Sequence, residues 1–270
     1  MAESKPPLDI REQPGFATVA FLCLAVLYVP ILILMVFSLN SGNIVTHWEG
    51  LSLHWYGVAL ANDEFFSAAQ NTMTIAVTAT VVATLTATLA ALGMTRVKPW
   101  RGLTAAFMVL NLPLMVPEIV TAVATLSFFA LIAGRLGINL GIGNLIVAHT
   151  VFCIPFAYMP IKARLEDMDL TLDHAAADLY ATPWKTFRRI TLPLLTPGIL
   201  SGMALAFIVS FDDFTITQLV AGPGQTTLPL YIWNQIRRPM TPEINAISTI
   251  LLLTSILIVA VSFLLARKRR

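Results

Sequence analysis

Six long apolar runs separated by polar connections set the framework of this 270-residue chain, and they cover approximately residues 16–38, 68–95, 103–133, 140–161, 200–220 and 244–266. An α-helix rises about 1.5 Å per residue, so about 20 apolar residues cross the ~30 Å hydrocarbon layer of a bilayer. Each run meets that length. The pattern predicts an all-α membrane protein of about six transmembrane helices. Pro113 and Pro117 interrupt the third run, and Asp212 with Asp213 interrupts the fifth. No small-residue cleavage pattern follows the first run, which therefore reads as a retained span rather than a removable signal peptide. The expected organisation is a polar N-terminal segment over residues 1–14, a single membrane domain over 15–266 and a basic tail over 267–270.

Composition agrees with lipid as the solvent. The chain is 57% hydrophobic with a mean hydropathy of +0.77, and its 12% of charged residues is about half of what a water-soluble surface carries. A net charge of +2 is too small to suggest a nucleic-acid partner; its distribution is more informative. Fourteen of the 17 lysines and arginines fall in the N-terminus, the second and fourth loops and the tail, so both termini are expected in the cytoplasm. The loop over 39–67 has no Lys or Arg but holds Trp48, Trp55, Tyr56, Phe65 and Phe66, which suit the outer membrane interface. Residues 76–91 are dense in Ala and Thr, whose small side chains let a neighbouring helix approach closely. Cys23 and Cys153 lie inside apolar runs and read as small hydrophobes, not as a disulfide.

The fourth loop is basic, long and patterned. From Asp173 to Ile199 it reads DHAAADLYATPWKTFRRITLPLLTPGI. Asp173 is a candidate cap for a helix through Ala175, Ala176, Ala177 and Leu179. Thr182-Pro183 opens a second short helix, with Trp184, Phe187 and Ile190 at helical spacing and Leu192-Pro193 and Thr196-Pro197-Gly198 expected to end it. The result is a helix-turn-helix outside the membrane, apolar on one face and basic at Lys185, Arg188 and Arg189. Contact with anionic lipid head groups would explain the arginines but not the apolar face or the Leu-Pro and Pro-Gly stops.

This segment resembles the EAA loop of binding-protein-dependent ABC importer permeases, on Ala175, Ala176, Ala181, Phe187, Ile190, Leu192, Pro193, Pro197 and Gly198. His174 stands where that family usually has Glu, and Tyr180 where it usually has Gly. The resemblance extends to Asn71-Thr72 and to the run from Asn111 to Glu118. Ser210 to Phe214, Gly222-Pro223, Leu228-Pro229 and Pro242 to Ala246 look most like the second permease of spermidine/putrescine importers. The resemblance implies a type I ABC importer permease fold with a cytoplasmic coupling loop over about 162–199. It assigns ATPase coupling to His174, Ala175, Ala176, Asp178, Tyr180, Ala181, Trp184, Phe187 and Arg188. The implied partners are a homologous second permease, two ATPase subunits that hold ATP and Mg, and an extracytoplasmic substrate-binding protein. The implied setting is the lipid of a bacterial inner membrane.

Ionisable groups inside a span cost at least about 2.5–3.5 kcal/mol at the bilayer centre, so they mark a cavity or a partner. Glu118, Asp212 and Asp213 are such groups, flanked by Phe211 and Phe214. Carboxylates and aromatic faces suit a cationic substrate such as a polyamine. The same carboxylates could instead bond to backbone amides at the helix breaks or join two subunits; both readings stay open. His149 reads as a satisfied packing residue and is assigned no role. No metal-ligand cluster, nucleophile triad or phosphate loop is present, and Gly141-Ile142-Gly143 lacks the Lys-Ser/Thr that a phosphate cradle requires. The chain is thus expected to be non-catalytic and to depend on a separate ATPase. Alternatives are a permease for another organic solute, such as an amino-acid derivative or a quaternary amine, an ion-coupled secondary transporter, or a sensory or scaffolding membrane protein.

Overall fold

The computed structural model describes residues 15–137, 140–237 and 241–267. The segment 1–14 with Lys5 and Arg11, together with Arg238 and the tail residues Lys268, Arg269 and Arg270, lies outside the described residues. The described chain is almost wholly helical. Its elements are α1 (Phe16–Phe37), α2 (His54–Leu60), α3 (Asp63–Thr95), α4 (Leu103–Met115), α5 (Glu118–Leu136), α6 (Ile142–Glu166), α7 (Thr171–Asp178), α8 (Pro183–Thr186), a π-helical turn (Phe187–Thr191), α9 (Leu192–Phe211), α10 (Thr215–Val220), α11 (Leu228–Ile236) and α12 (Glu243–Arg267). Among the described residues, six helices are long and apolar enough to cross a membrane.

Two compact units are present. The first comprises Met1–Ala59 and Pro239–Ile250. In it α1 buries none of its residues, as expected for a helix that is apolar on every side and faces lipid or another chain. The connection after α1 is ordered by Asn40, whose amide oxygen accepts the Glu49 and Gly42 amides and whose NH2 donates to the His47 carbonyl. Trp55 Nε1 donates to the Gly42 carbonyl.

The second unit, Leu60–Arg238 with Leu251–Arg270, contains the core. Ala83, Ala87 and Ala91 of α3 pack with Cys153, Ala157, Tyr158, Ile161 and Leu165 of α6 and with Leu195 and Ala206 of α9. The Ala/Thr stripe thus does what small side chains do between membrane helices: it lets backbones approach where no apolar driving force separates helix from lipid. A second cluster joins Ile75, Ala122, Phe129, Leu145, Ala148, Phe152, Ile216 and Val220.

Several boundaries differ from the sequence expectation, each for a local reason. Helix α3 begins at Asp63, five residues before the apolar run, because Asn62 caps it by accepting the Glu64 and Phe65 amides. The third span is two helices. Val116, which precedes Pro117, is extended (φ −102, ψ 149), and Pro117 removes the next amide donor. Asp173 is not the cap of α7; it lies in the first turn, and Asp169 accepts the Thr171 amide instead. Leu192-Pro193 and Thr196-Pro197-Gly198 do not end the second short helix, since the helical path runs from Pro183 to Phe211. The π turn absorbs the change, with the Leu192 amide reaching the Phe187 carbonyl five residues back just before Pro193. The segment between long helices is consequently shorter than 162–199, because Lys162 and Arg164 belong to α6 and residues 192–199 to α9.

Candidate functional site

Two groups of residues carry the candidate chemistry. The first is the corner between α7 and α8. The Tyr180 amide bonds to the Ala177 carbonyl and the Ala181 amide to the Ala176 carbonyl. That 5→2 and 6→1 pair is a Schellman motif with Tyr180 at its left-handed position (φ 57). The geometry explains why glycine suits this position. It also throws the side chain outward: Tyr180 is 95% exposed, beside exposed Leu179 and a 68% exposed Trp184. Trp184 stacks on Phe187 at 5.6 Å. Of the other residues singled out from the sequence, Ala176 is buried, Ala181 is half-buried, and His174, Ala175, Asp178 and Arg188 are exposed. The corner therefore presents Leu179, Tyr180 and Trp184 next to basic side chains, a surface fitted for another protein.

Tyr180→Gly is expected to raise stability by about 0.5–1 kcal/mol, since left-handed strain of about 1–2 kcal/mol is relieved while glycine gains freedom in the unfolded chain. Thermal unfolding of the purified protein measures this. An unchanged or lower melting point would show that the tyrosine ring, despite its exposure, holds the corner.

The second group lies where two helix breaks meet, between α4 and α5 and between α9 and α10. Asp213, 6% exposed, accepts the Thr217 amide at 3.0 Å, the Ile216 amide at 3.4 Å and the Thr217 hydroxyl at 3.1 Å. It therefore caps α10. Its carboxylate is also 3.3 Å from His149 Nε2. His149, 1% exposed, contacts Ser210 Oγ through Nδ1 at 2.9 Å and Thr217 Oγ1 through Nε2 at 3.1 Å. With Thr217 donating to Asp213, the network is satisfied when Nε2 carries the proton and Nδ1 accepts from Ser210. Glu118, in the first turn of α5, adjoins Asp213 and Thr215.

The structure separates the two neighbouring aspartates. Asp213 is inside and fully engaged, whereas Asp212 ends α9 and is exposed. Phe211 is buried and stacks on Phe207 at 5.5 Å, and Phe214 packs on Trp233 at 5.0 Å. His149 is a satisfied packing residue, but one that joins α6 to both sides of the α9–α10 break.

Two structural roles were not read from the sequence, although Gly198 and Asn71-Thr72 are among the residues that carry the resemblance. Gly198 and Gly202 are spaced as in a small-xxx-small pair, a signal present in the sequence. A Cβ at Gly202 would meet the Ala157 carbonyl at 2.5 Å, and one at Gly198 would meet Arg164 Cβ at 2.6 Å. They are the seat of α9 on α6. Asn71 donates to the Gly224 and Thr226 carbonyls, and Thr72 Oγ1 accepts the Leu228 amide, so this pair pins the α10–α11 connection to α3. No periodicity announces that role.

A polytopic helical bundle with broken spans, acidic groups at the breaks and an exposed amphipathic corner on its main polar connection is the build of a transport permease that works with other chains. Residues 83–268 match the family described as "Binding-protein-dependent transport system inner membrane component", and the chain belongs to that family. It is 36% identical over 247 residues to the putrescine transport system permease protein PotI of Escherichia coli (strain K12), covering 91% of this chain and 88% of that one. It is 37% identical over 255 residues to the spermidine/putrescine transport system permease protein PotC of the same strain, covering 94% of each. Among solved structures, a bacterial ABC transporter that imports the acidic polysaccharide alginate has a chain of the same fold, with a TM-score of 0.74 at 16% identity over 94% of this chain and 96% of that chain. The MetNI methionine ABC transporter in an inward-facing conformation gives 0.65 at 15% identity over 82% of this chain and all of that chain. The protein is thus a multi-pass permease subunit of an ABC importer.

Proposed function

We propose that this permease carries a polyamine of the putrescine/spermidine class inward across the membrane and draws its driving force from ATPase subunits seated on the α7–α8 corner. The observation that carries the coupling half is the exposed trio Leu179, Tyr180 and Trp184, projected by the left-handed turn at Tyr180. Aromatic anchors of this kind dominate protein interfaces. ATP and magnesium belong, in this reading, to the ATPases, and His174, Asp178 and Arg188 border the contact. The polyamine half is supported by the relatives' substrates and by exposed Asp212 and half-buried Glu118, carboxylates of the right sign for ammonium groups. Phe211 and Asp213 hold that region in shape. The remaining partners are a second, different permease and an extracytoplasmic binding protein, with both termini in the cytoplasm of a bacterial cell.

Movement of the coupling segments would switch the bundle between inward and outward access, a shift between two states of packed helices. The test is ATP-dependent uptake of labelled putrescine and spermidine into proteoliposomes holding the full complex. Uptake is expected in the wild type and is reduced by Asp212→Asn. Trp184→Ala is expected to weaken retention of the ATPase by about tenfold, the equivalent of ~1.4 kcal/mol. Absence of polyamine uptake in a complex that transports another solute overturns the substrate assignment. Undiminished ATPase retention in a Leu179→Asp/Trp184→Ala double variant overturns the docking assignment.

A further inference from the structure

The helix that meets the ATPase in this reading is poorly anchored by apolar contact. Ala176 is the buried residue of α7, and an open cleft of about 380 Å³ beside the helix is bordered by Leu92, Leu170, Ala177 and Phe187 together with Arg96 and Asp173. A segment held this loosely cannot pass a displacement to the membrane helices through packing alone. Something else must tie it to them.

We propose that Arg96 and Asp173 form that tie, a polar strut that transmits movement of α7 to the ends of α3, α6 and α9. Arg96 is the residue that ends α3. Its Nη1 lies 3.3 Å from Asp173 Oδ2 in the first turn of α7, and its Nη2 donates to the Leu165 carbonyl in the last turn of α6 at 3.4 Å. The other carboxylate oxygen, Asp173 Oδ1, accepts from the hydroxyl of Thr191 at 3.5 Å, where the π turn passes into α9. Three helix termini and the π turn that leads into α9 therefore meet at one ion pair. The arrangement is electrostatically favourable at each end: a cation sits at the C-termini of α3 and α6, where carbonyls lack intrahelical donors, and an anion sits at the N-terminus of α7. The guanidinium can serve two acceptors at once because its donors are fixed in a planar fork, which a lysine ammonium does not reproduce.

Both side chains are largely withdrawn from water, at 17% and 28% exposure, so the pair is screened less than a surface contact. The pairs Lys162–Glu166 and Arg164–Asp167, in contrast, stay within α6 and its cap and cannot carry force between elements. Arg96 and Asp173 are positioning residues in this proposal, acting through each other, the Leu165 carbonyl and Thr191.

The strut rests on the docking reading above, and the experiment separates the two. The full complex, with substrate-loaded binding protein, is reconstituted in proteoliposomes, and ATP hydrolysis, solute uptake and ATPase retained per permease are measured on the same preparations. Arg96→Gln and Asp173→Asn are each expected to lower solute moved per ATP hydrolysed by about tenfold, the size of an ordinary coupling between sites, with ATPase retention unchanged. Arg96→Lys restores part of the loss. Because both residues act through one contact, the double variant is no worse than either single one. An unchanged ratio, strictly multiplicative losses, or uptake and hydrolysis falling together with loss of assembled complex overturns the strut. A wild-type complex that fails to retain the ATPase overturns the docking reading and the strut with it.

Discussion

Asp213→Ala lowers the stability of the purified complex by about 3 kcal/mol, whereas Asp212→Asn changes it by no more than about 0.5 kcal/mol. The two residues are adjacent and chemically identical, so the difference is a property of their surroundings. Removing the Asp213 carboxylate orphans the Ile216 and Thr217 amides at the start of α10 and the Thr217 hydroxyl, and it leaves His149 without its charged partner. Each buried donor left unpaired costs about 1–3 kcal/mol. Asp213→Asn loses less, because an amide oxygen standing where Oδ1 stands still accepts from Thr217 and still faces His149, and the Ile216 amide is the donor that loses its acceptor. Asp212 is exposed and accepts none of the cap bonds that Asp213 takes. Thermal unfolding of detergent-purified complexes distinguishes the variants, and equal losses at the two positions would show that the helix break is not organised by Asp213. Transport gives the opposite signature: Asp212→Asn is the variant expected to lose uptake without losing stability.

Gly202→Val destabilises the protein by about 3 kcal/mol or more, and Gly202→Ala by about 1–3 kcal/mol. An added Cβ would stand 2.5 Å from the Ala157 carbonyl and 3.2 Å from Ile161 Cγ1. The near neighbour is backbone within α6, which has no rotamer to yield, so α9 and α6 must move apart. That separation reaches the shared core, because Ala157 and Ile161 pack there with Leu195, Ala206 and the α3 alanines. Folded yield after membrane extraction and the melting temperature measure the effect. A Gly202→Ala variant with wild-type stability would mean that α9 is seated elsewhere. The glycine at position 134, where an added Cβ meets nothing within 4 Å, is the control and is expected to tolerate alanine.

Much of the fold was legible because its causes are local. A run of about 20 apolar residues is helical and membrane-spanning whatever surrounds it, since lipid offers no other hydrogen-bond partner to the backbone. Pro117 likewise breaks the third span by its own chemistry. The proline at 193 misled for a physical reason: it follows a π turn in which the Leu192 amide already reaches five residues back to the Phe187 carbonyl, so the helical path continues through a residue that has no amide donor. The candidate site was legible only in kind. Acidic residues within an apolar run announce a cavity or a partner, but nothing in Ser210-Phe211-Asp212-Asp213-Phe214 says which carboxylate faces inward.

What the sequence by itself determined is therefore the class of molecule, the number of long apolar spans, the break before α5 and the helical, amphipathic character of the α7–α8 corner. These follow from hydrophobic length, proline geometry and helical spacing, which act between residues a few positions apart. The tertiary structure alone decided that Asp213 is held while Asp212 is free, that Gly198 and Gly202 seat α9, and that Arg96 reaches Asp173. The pairs involved, His149 with Ser210 and Thr217, and Arg96 with Asp173, are 61, 68 and 77 residues apart. Such contacts exist only once helices have packed, because no local preference of a buried histidine or a helix-ending arginine names its distant partner.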